Sequence, residues 1–239
     1  LSGATQGKAQ TIATSIGIGG GMLALASLLF AWPAALTLLV VLLLNAVTCA
    51  VLAWRFSLRP AHGIGLAHLV LAYLVICNVL TGNLSLWNED SAPFGTSFVS
   101  LTTGIALLSL FALLELGAEF WQRKEQAFEA WMYGIGALVA GAISFVLVTS
   151  QGFARSGDPQ HVTWLYAAYA VLTFRLAWRR NQQLASWVGA ALSLLAIVQG
   201  LVFKFGDMLA AYHPMRLSLL VYATLAAAAA VLLRRARAR

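Results

Sequence analysis

The positions of the tryptophans constrain the fold of this chain more than any other feature. All eight lie at or just beyond the end of a long apolar run, and none lies in the middle of one. They are Trp32, Trp54, Trp87, Trp121, Trp131, Trp164, Trp178 and Trp187. Because indole combines a large apolar ring system with one N–H donor, tryptophan concentrates at the headgroup level of a bilayer. The placement therefore predicts apolar helices that cross a membrane and carry tryptophans at their ends.

The composition and the lengths of the apolar runs agree with a membrane fold. Hydrophobic residues make up 61% of the chain and charged residues 10%, whereas a water-soluble domain carries about 25% charged residues. Eight apolar segments are long enough for a hydrocarbon core of ~30 Å. They cover residues 12–31, 34–54, 64–84, 98–121, 132–153, 162–178, 185–205 and 216–233. We therefore predict an all-α, polytopic integral membrane helix bundle of about eight transmembrane helices, forming a single membrane domain over residues 1–239.

The distribution of lysine and arginine predicts the orientation. If the N-terminus is cytoplasmic, twelve of the 15 basic residues fall on the inner side. These are Lys8, Arg55, Arg59, Arg123, Lys124, Arg175, Arg179, Arg180, Arg234, Arg235, Arg237 and Arg239, and only Arg155, Lys204 and Arg216 fall on the outer side. This asymmetry follows the positive-inside rule. It predicts that both termini are cytoplasmic, that the protein is a multi-pass protein of a bacterial inner membrane, and that the net charge of +7 reflects topology rather than nucleic-acid binding.

An internal repeat is visible at an offset of 124 residues, with a related offset of 117 in the first helix. The pairs are residues 52–55 (LAWR) with 176–179, Gly65 with Gly189, residues 71–72 with 195–196, Gly82 with Gly206, and, at the offset of 117, residues 17–19 with 134–136. Four spans separate the copies, so the pattern predicts two parallel four-helix halves, residues 12–121 and 132–233. The alternative is chance identity in a chain rich in alanine and leucine. Because the chain begins at Leu1 without a leader pattern, we expect a fragment of a longer protein.

Charged residues inside the predicted spans are the first candidates for function. An ionisable group costs ~2.5–3.5 kcal/mol or more at the bilayer centre. Glu115 and Glu119 lie one helical turn apart near the inner end of the fourth span, and Arg175 lies near the inner end of the sixth. Glu115 would act either as a protonatable relay facing Arg175 or as a member of an ion pair near the interface.

Polar residues without a permanent charge inside the predicted spans are further candidates. They are Asn45, His68, Asn78 and Gln199. Such side chains commonly form hydrogen bonds between membrane helices, at about 0.6–2 kcal/mol each. We interpret Asn45, His68 and Asn78 mainly as such helix–helix links, with a polar cavity as the alternative.

Polar residues on the predicted outer side form a second candidate group. They are Arg155, Asp158, His161, Lys204, Asp207, His213 and Arg216. Together they would bind an anionic headgroup or perform acid–base chemistry, since histidine and aspartate donate and accept protons near neutral pH. The alternative is a solvated rim of loop residues.

Sequence motifs for enzymes, cofactors and metals are missing from the chain. It contains no zinc-protease, nucleophile-elbow or phosphate-loop motif, and its two cysteines are far apart in predicted depth. We therefore predict no catalytic residues, no cofactor and no metal site.

Residues 165–208 carry a resemblance to a known class of protein. A basic turn at Arg175, Arg179 and Arg180 is followed by a small-residue step at Gly189 and a closing group at Lys204, Phe205 and Asp207. This segment resembles the repeated helical hairpins of large bacterial multi-helix membrane proteins of unknown function. The resemblance implies an architecture of serial hairpins and truncation from a longer array, and it implies no established activity.

Three functions remain open from the sequence. The first is a non-enzymatic membrane domain with a scaffold, sensor or assembly role, whose partners are the bilayer and other membrane subunits or domains of the same longer chain. The second is a transporter or lipid-handling protein, which predicts that Asn45, His68, Asn78, Glu115 and Gln199 converge on one midplane pocket. The third is a membrane-embedded transferase acting on a lipid-linked substrate at the outer face, which requires the outer group to close around a site.

Overall fold

The computed structural model describes residues 19–24, 26–56, 58–87, 91–152, 159–204 and 213–237. Within these residues all regular structure is helical, which confirms the predicted all-α class. The helices, with our numbering, are α1 Gly19–Ala31, α2 Ala35–Phe56, α3 Arg59–Leu80, α4 Ser91–Phe98, α5 Leu101–Arg123, α6 Ala127–Gly152, α7 Pro159–Arg180, α8 Gln183–Gln199 and α9 Pro214–Arg237. A π-helical turn, Gly200–Lys204, continues α8.

Within the described residues, five helices are long and apolar enough to cross a membrane, by length and composition. They are α2, α3, α5, α6 and α8, the last continuing into the π turn as far as Val202. The protein is therefore a helical, membrane-embedded protein. In α1 and α9 the apolar stretches, Gly19–Ala31 and Pro214–Ala230, are shorter. Residues 12–18 of the first predicted span lie outside the described residues, and the count of eight spans stays a prediction.

The ends of the helices follow from local sequence. The first turn of α3 contains Pro60, where the missing N–H costs no helical hydrogen bond. After α3, Gly82 has a φ of 76° and its N–H binds the Val79 carbonyl, a left-handed stop that glycine adopts without strain. Asn181, with a φ of 50°, ends α7 in the same way. At the start of α5, the Ser100 hydroxyl caps the helix by accepting from the Thr103 N–H.

The connection between α3 and α5 contains a helix that its turn-forming residues do not indicate. Pro93 and Gly95 are typical of a loop, but α4 occupies Ser91–Phe98. Pro93 is the third residue of α4, within the first turn, where no N–H is needed for the helical ladder. Phe94 of α4 is fully buried, and its ring meets the edge of Trp32 with ring centroids 4.2 Å apart.

The chain divides into two compact units, residues 1–140 and 141–239, with the division inside α6. In the first unit, α2 and α3 pack along their lengths, and α3 also contacts α5. A buried apolar cluster joins the ends of α1, α2 and α3 to α4. Its members are Ala31, Ala35, Leu38, Leu42, Ala72, Val75, Leu84 and Phe94. In the second unit, α7 and α8 form the most extensive pairing, and α9 packs on α8 and the π turn.

At the offset of 124 residues, six buried positions of the two helix pairs match, whereas the counterparts of His68, Leu74 and Asn78 are only partly buried. The matching buried pairs are Leu38 and Val162, Leu42 and Tyr166, Ala46 and Ala170, Gly65 and Gly189, Ala72 and Ala196, and Val75 and Gln199. Thus every buried residue of α8 has a buried counterpart in α3. The offset that relates identical residues in the sequence therefore also relates these buried positions in the structure.

The pairs α2–α3 and α7–α8 each have a glycine with little space in front of it, and the two glycines are at equivalent positions. A Cβ added to Gly65 would lie 3.0 Å from the Cβ of Cys49. A Cβ added to Gly189 would lie 3.0 Å from the Oγ1 of Thr173. Cys49 and Thr173 are again 124 residues apart. Each glycine therefore permits close packing at the same place in its own pair.

Candidate functional site

Asn45 links α2 to α1. Its Nδ2 donates to the Ala24 carbonyl and to the Ser27 hydroxyl, both at 3.2 Å. Because a membrane interior offers little water, two such bonds hold the amide in one orientation. Asn45 is thus a contact between helices in this structure.

Asn78 links α3 to the start of α5. The fully buried amide donates to the Leu74 carbonyl at 3.0 Å and to Thr103 Oγ1 at 3.1 Å. The Thr103 hydroxyl lies 2.9 Å from the Ser97 carbonyl, and the Ser97 hydroxyl donates to the Asn83 carbonyl at 2.8 Å. This network fastens the outer loop to α3, with each buried polar group paired.

Two histidines of α3 have one ring nitrogen buried without a hydrogen-bond partner. In His68, Nδ1 lies 2.7 Å from the Ile64 carbonyl of the same helix, and Nε2 has no partner. In His62, the unpartnered atom is also Nε2, and the ring packs against the rings of Trp121 and Tyr133, with centroids 5.6 and 5.7 Å away. His62 thus belongs to an aromatic cluster at the basic end of α3 and α5.

In the first unit the structure does not bring the predicted polar residues together. Asn45 bonds to α1, His68 to its own helix, and Asn78 to α5. His68 and Asn78 are ten residues apart on one helix, which separates them by about 15 Å. The convergence on one pocket that a transporter requires is therefore not found among these three residues.

Glu115, Glu119 and Arg175 are partly buried, and each has an interaction partner. Glu115 and Glu119 lie on α5 in the first unit, and Arg175 lies on α7 in the second. The relay between Glu115 and Arg175 stays a prediction.

In the second unit, two tyrosine hydroxyls of α7 bond to hydroxyls of α6. Tyr166 donates to Thr149 Oγ1 at 3.0 Å, and the hydroxyls of Tyr169 and Ser144 share a short hydrogen bond. Phe145 packs against both tyrosine rings, at 5.8 and 5.9 Å between centroids. The bond between Ser144 and Tyr169 occupies the place of the bond between Ser27 and Asn45. Tyr169 follows Asn45 by 124 residues, and Ser144 follows Ser27 by 117, the offset of the first helix.

Gln199, at the end of α8, differs from every other buried polar residue described above. Its side chain is 2% exposed, and neither the Nε2 nor the Oε1 has a partner among the described residues. The π turn begins at the next residue, Gly200, where an added Cβ would lie 3.1 Å from the Cγ2 of Thr163 on α7. The amide therefore lies at the end of α8 where the π turn packs closely on α7.

The predicted outer group is only partly described. Arg155, Asp158 and Asp207 lie outside the described residues. The backbones of His161 and Lys204 lie in α7 and in the π turn. His213 and Arg216 are exposed at the start of α9, where the Arg216 N–H donates to the His213 carbonyl at 2.8 Å. A catalytic arrangement of this group stays a prediction.

An apolar groove of about 320 Å³ opens on the surface of the first unit. Its lining is aliphatic except for Tyr73, whose hydroxyl lies 2.6 Å from Ser109 Oγ. The surrounding helix surfaces expose large side chains, including Leu44 at 62%, Leu80 at 80% and Leu138 at 71%. On helices of membrane length, such surfaces suit contact with lipid chains or other membrane helices.

Several structural residues escaped the sequence analysis. His62, Thr103, Ser144 and Tyr169 were not singled out, because hydroxyls and histidines at helix ends carry no motif. The offset of 124 residues would have identified Tyr169 as the counterpart of Asn45. Among the described residues, no group of three histidine, cysteine or acidic residues is arranged to hold a metal ion. Cys49 and Cys77 are free thiols.

Comparisons with protein-family models, with curated proteins and with solved structures found no match to this chain.

Proposed function

We propose that this chain is a non-catalytic scaffold or assembly domain of a bacterial inner membrane, crossing the membrane eight times with both termini in the cytoplasm. It would work through contacts of its lipid-facing helices with other membrane subunits or with further domains of a longer chain. The halves 12–121 and 132–233 would be copies of one ancestral four-helix unit, and the repeat would be parallel because four spans separate equivalent helices.

One observation carries the scaffold proposal. In the first unit, Asn45 and Asn78 are used in separate hydrogen bonds, the first joining α2 to α1 and the second joining α3 to α5. Transport needs polar groups grouped around a path, and catalysis needs them grouped around a reacting atom. Polar groups that each form a separate hydrogen bond between helices favour a structural role instead.

The repeat proposal rests on three independent kinds of match. Sequence identities, buried positions and specific contacts all follow the same offsets. Chance identity in an alanine- and leucine-rich chain does not by itself account for the glycine contacts or for the bond from the first helix to the second.

Native mass measurement of the full chain, released from its own membrane into lipid nanodiscs, tests the scaffold proposal. A scaffold predicts a discrete assembly heavier than one 25.5 kDa chain. Polar substitution of exposed Leu138 and, separately, Leu44 should reduce that assembly, while Thr48→Val, on an exposed hydroxyl bonded within its own helix, should leave it intact. A mass of one chain under all conditions would contradict the proposal.

A second candidate, a lipid-handling protein, is favoured by a single observation, the unpartnered amide of Gln199.

A further inference from the structure

Gln199 breaks the match between the two units. Its counterpart, Val75, is 1% exposed and belongs to the apolar cluster of the first unit. Gln199 is equally buried but carries a carboxamide with two unpaired polar atoms. Burying an unpaired amide costs free energy, whereas valine at the same place costs none. A partner that is not among the described residues would offset this cost.

The backbone changes at the same place. Residues 200–204 form a π turn, whereas their counterparts, residues 76–80, continue α3 as a regular α-helix. Turns of π-helix are rare and occur frequently at functional sites. The second unit therefore differs from the first in side chain and in backbone at adjacent positions.

The tyrosine hydroxyl groups of α7 already have partners, and Thr163 of α7 also has an interaction partner. Tyr166 donates to Thr149, and Tyr169 pairs with Ser144. Gln199 is thus left as the unit's buried donor and acceptor without a partner among the described residues. An amide pairs fully with a group that both donates and accepts, and among the neutral linkage groups of lipids these are a hydroxyl and another amide, whereas an ester can only accept.

We propose that Gln199 and the π turn form a binding site for the hydroxyl- or amide-bearing linkage of a membrane lipid. The depth of Gln199 in the membrane agrees with the depth at which the linkage of a lipid lies. Gln199 is 16 residues from the start of α8 at Gln183, which is about 24 Å along the helix. Under the proposed topology, from which this step follows, α8 begins at the inner surface, so Gln199 lies just below the outer headgroups.

Thermal unfolding of the purified full chain in detergent tests the site. The probe is 1-monooleoylglycerol, which offers two hydroxyls, and the matched control lipid is methyl oleate, which has the same acyl chain and an ester that only accepts. The test variant is Gln199→Met, which keeps a similar volume without the amide. The reciprocal control is Val75→Gln, which places an amide in the first unit, where no π turn follows.

The site predicts that monooleoylglycerol raises the Tm of the wild-type chain by about 2 °C or more and that methyl oleate does not. Gln199→Met should abolish this response and leave the lipid-free Tm equal or higher, because an unpaired amide is removed. Val75→Gln should lower the Tm and leave the lipid response unchanged.

Three results would overturn the site: no response of the wild-type chain, an equal response of Gln199→Met, or a lower lipid-free Tm of Gln199→Met, which would mean that the amide pairs within the chain. Failure here would leave the native mass of the assembly unchanged. If the proposed topology is wrong but the lipid site is right, the lipid should still raise the Tm, and Gln199 would lie in the other leaflet.

Discussion

The side-chain amide of Asn45 on α2 donates a hydrogen bond to the hydroxyl oxygen of Ser27 on α1 over 3.2 Å. Its counterpart in the second unit is the bond between Tyr169 and Ser144. The chemistry of one partner has changed from amide to phenol, but the helix positions that are joined are the same. At the offsets of 124 and 117 residues, the hydrogen bond therefore joins corresponding positions of α1 and α2 and of α6 and α7.

Double-mutant cycles should measure this contact in both units. Asn45→Val and Ser27→Ala should be coupled by about 0.6 kcal/mol, the average for hydrogen bonds between membrane helices. Tyr169→Phe and Ser144→Ala should be coupled with the same sign. The measurement is the free energy of unfolding in mixed micelles. Thr48→Val serves as the control, since its hydroxyl bonds to Leu44 of its own helix. Coupling of Thr48 to Ser27 as large as that of Asn45 would contradict the assignment.

The paired glycines predict a matched loss of stability. Gly65→Ala and Gly189→Ala each place a Cβ at 3.0 Å from a side-chain atom of the facing helix, which is closer than an ordinary contact, so the neighbouring side chain must shift. We expect each to cost about 1–3 kcal/mol, as overpacking does, seen as a lower Tm. Gly136→Ala is the control, because its Cβ would meet Leu114 at an ordinary 3.5 Å. A loss at Gly136 equal to that at the other two would argue against close packing at the matched positions.

Asn78 should be more important for stability than its exposed neighbour Thr81. Asn78→Ala removes the bonds to Leu74 and Thr103 and leaves buried groups unpaired, for an expected cost of about 1–3 kcal/mol. Thr81→Val loses bonds to carbonyls of its own helix at an exposed position and should change stability by less than about 0.5 kcal/mol. Chemical unfolding monitored by tryptophan fluorescence measures both. Equal effects would show that the network does not fasten the outer loop.

His62 should contribute through its ring rather than its protonation. Because Nε2 is buried without a partner, His62→Phe removes an unpaired atom and keeps the contacts to Trp121 and Tyr133. We expect unchanged or higher stability for His62→Phe and a loss of about 1–3 kcal/mol for His62→Ala. Thermal unfolding separates the two variants. A loss in His62→Phe as large as that in His62→Ala would mean that the imidazole nitrogen has a role of its own.

The membrane helices could be predicted from the sequence because apolar length is set by the bilayer. The predicted span 34–54 corresponds to α2 at Ala35–Phe56, and the predicted span 98–121 to α5 at Leu101–Arg123. The short α4 could not be predicted in the same way. Its Pro93 and Gly95 signal a turn, and what stabilises α4 is the burial of Phe94, a tertiary contact.

The site residues could be predicted only as a set of polar positions. The cost of polar groups in lipid identified Asn45, Asn78 and Gln199, but which of them has a partner depends on the rotation of each helix. The π turn was equally hidden, since π and α turns share almost the same apolar pattern over five residues. The repeat offset, applied to Asn45, would have indicated Tyr169 as a further residue of this kind.

Labelling of single cysteines with a membrane-impermeant maleimide tests the central topology most directly. In a chain carrying Cys49→Ala and Cys77→Ala, new cysteines replace the exposed residues Asn83 and His213 on the predicted outer side, and Glu125 and Gln182 on the predicted inner side. The account predicts labelling of the first two in intact cells and of the last two only after permeabilisation. Labelling of Glu125→Cys or Gln182→Cys in intact cells, or protection of either outer position, would contradict it.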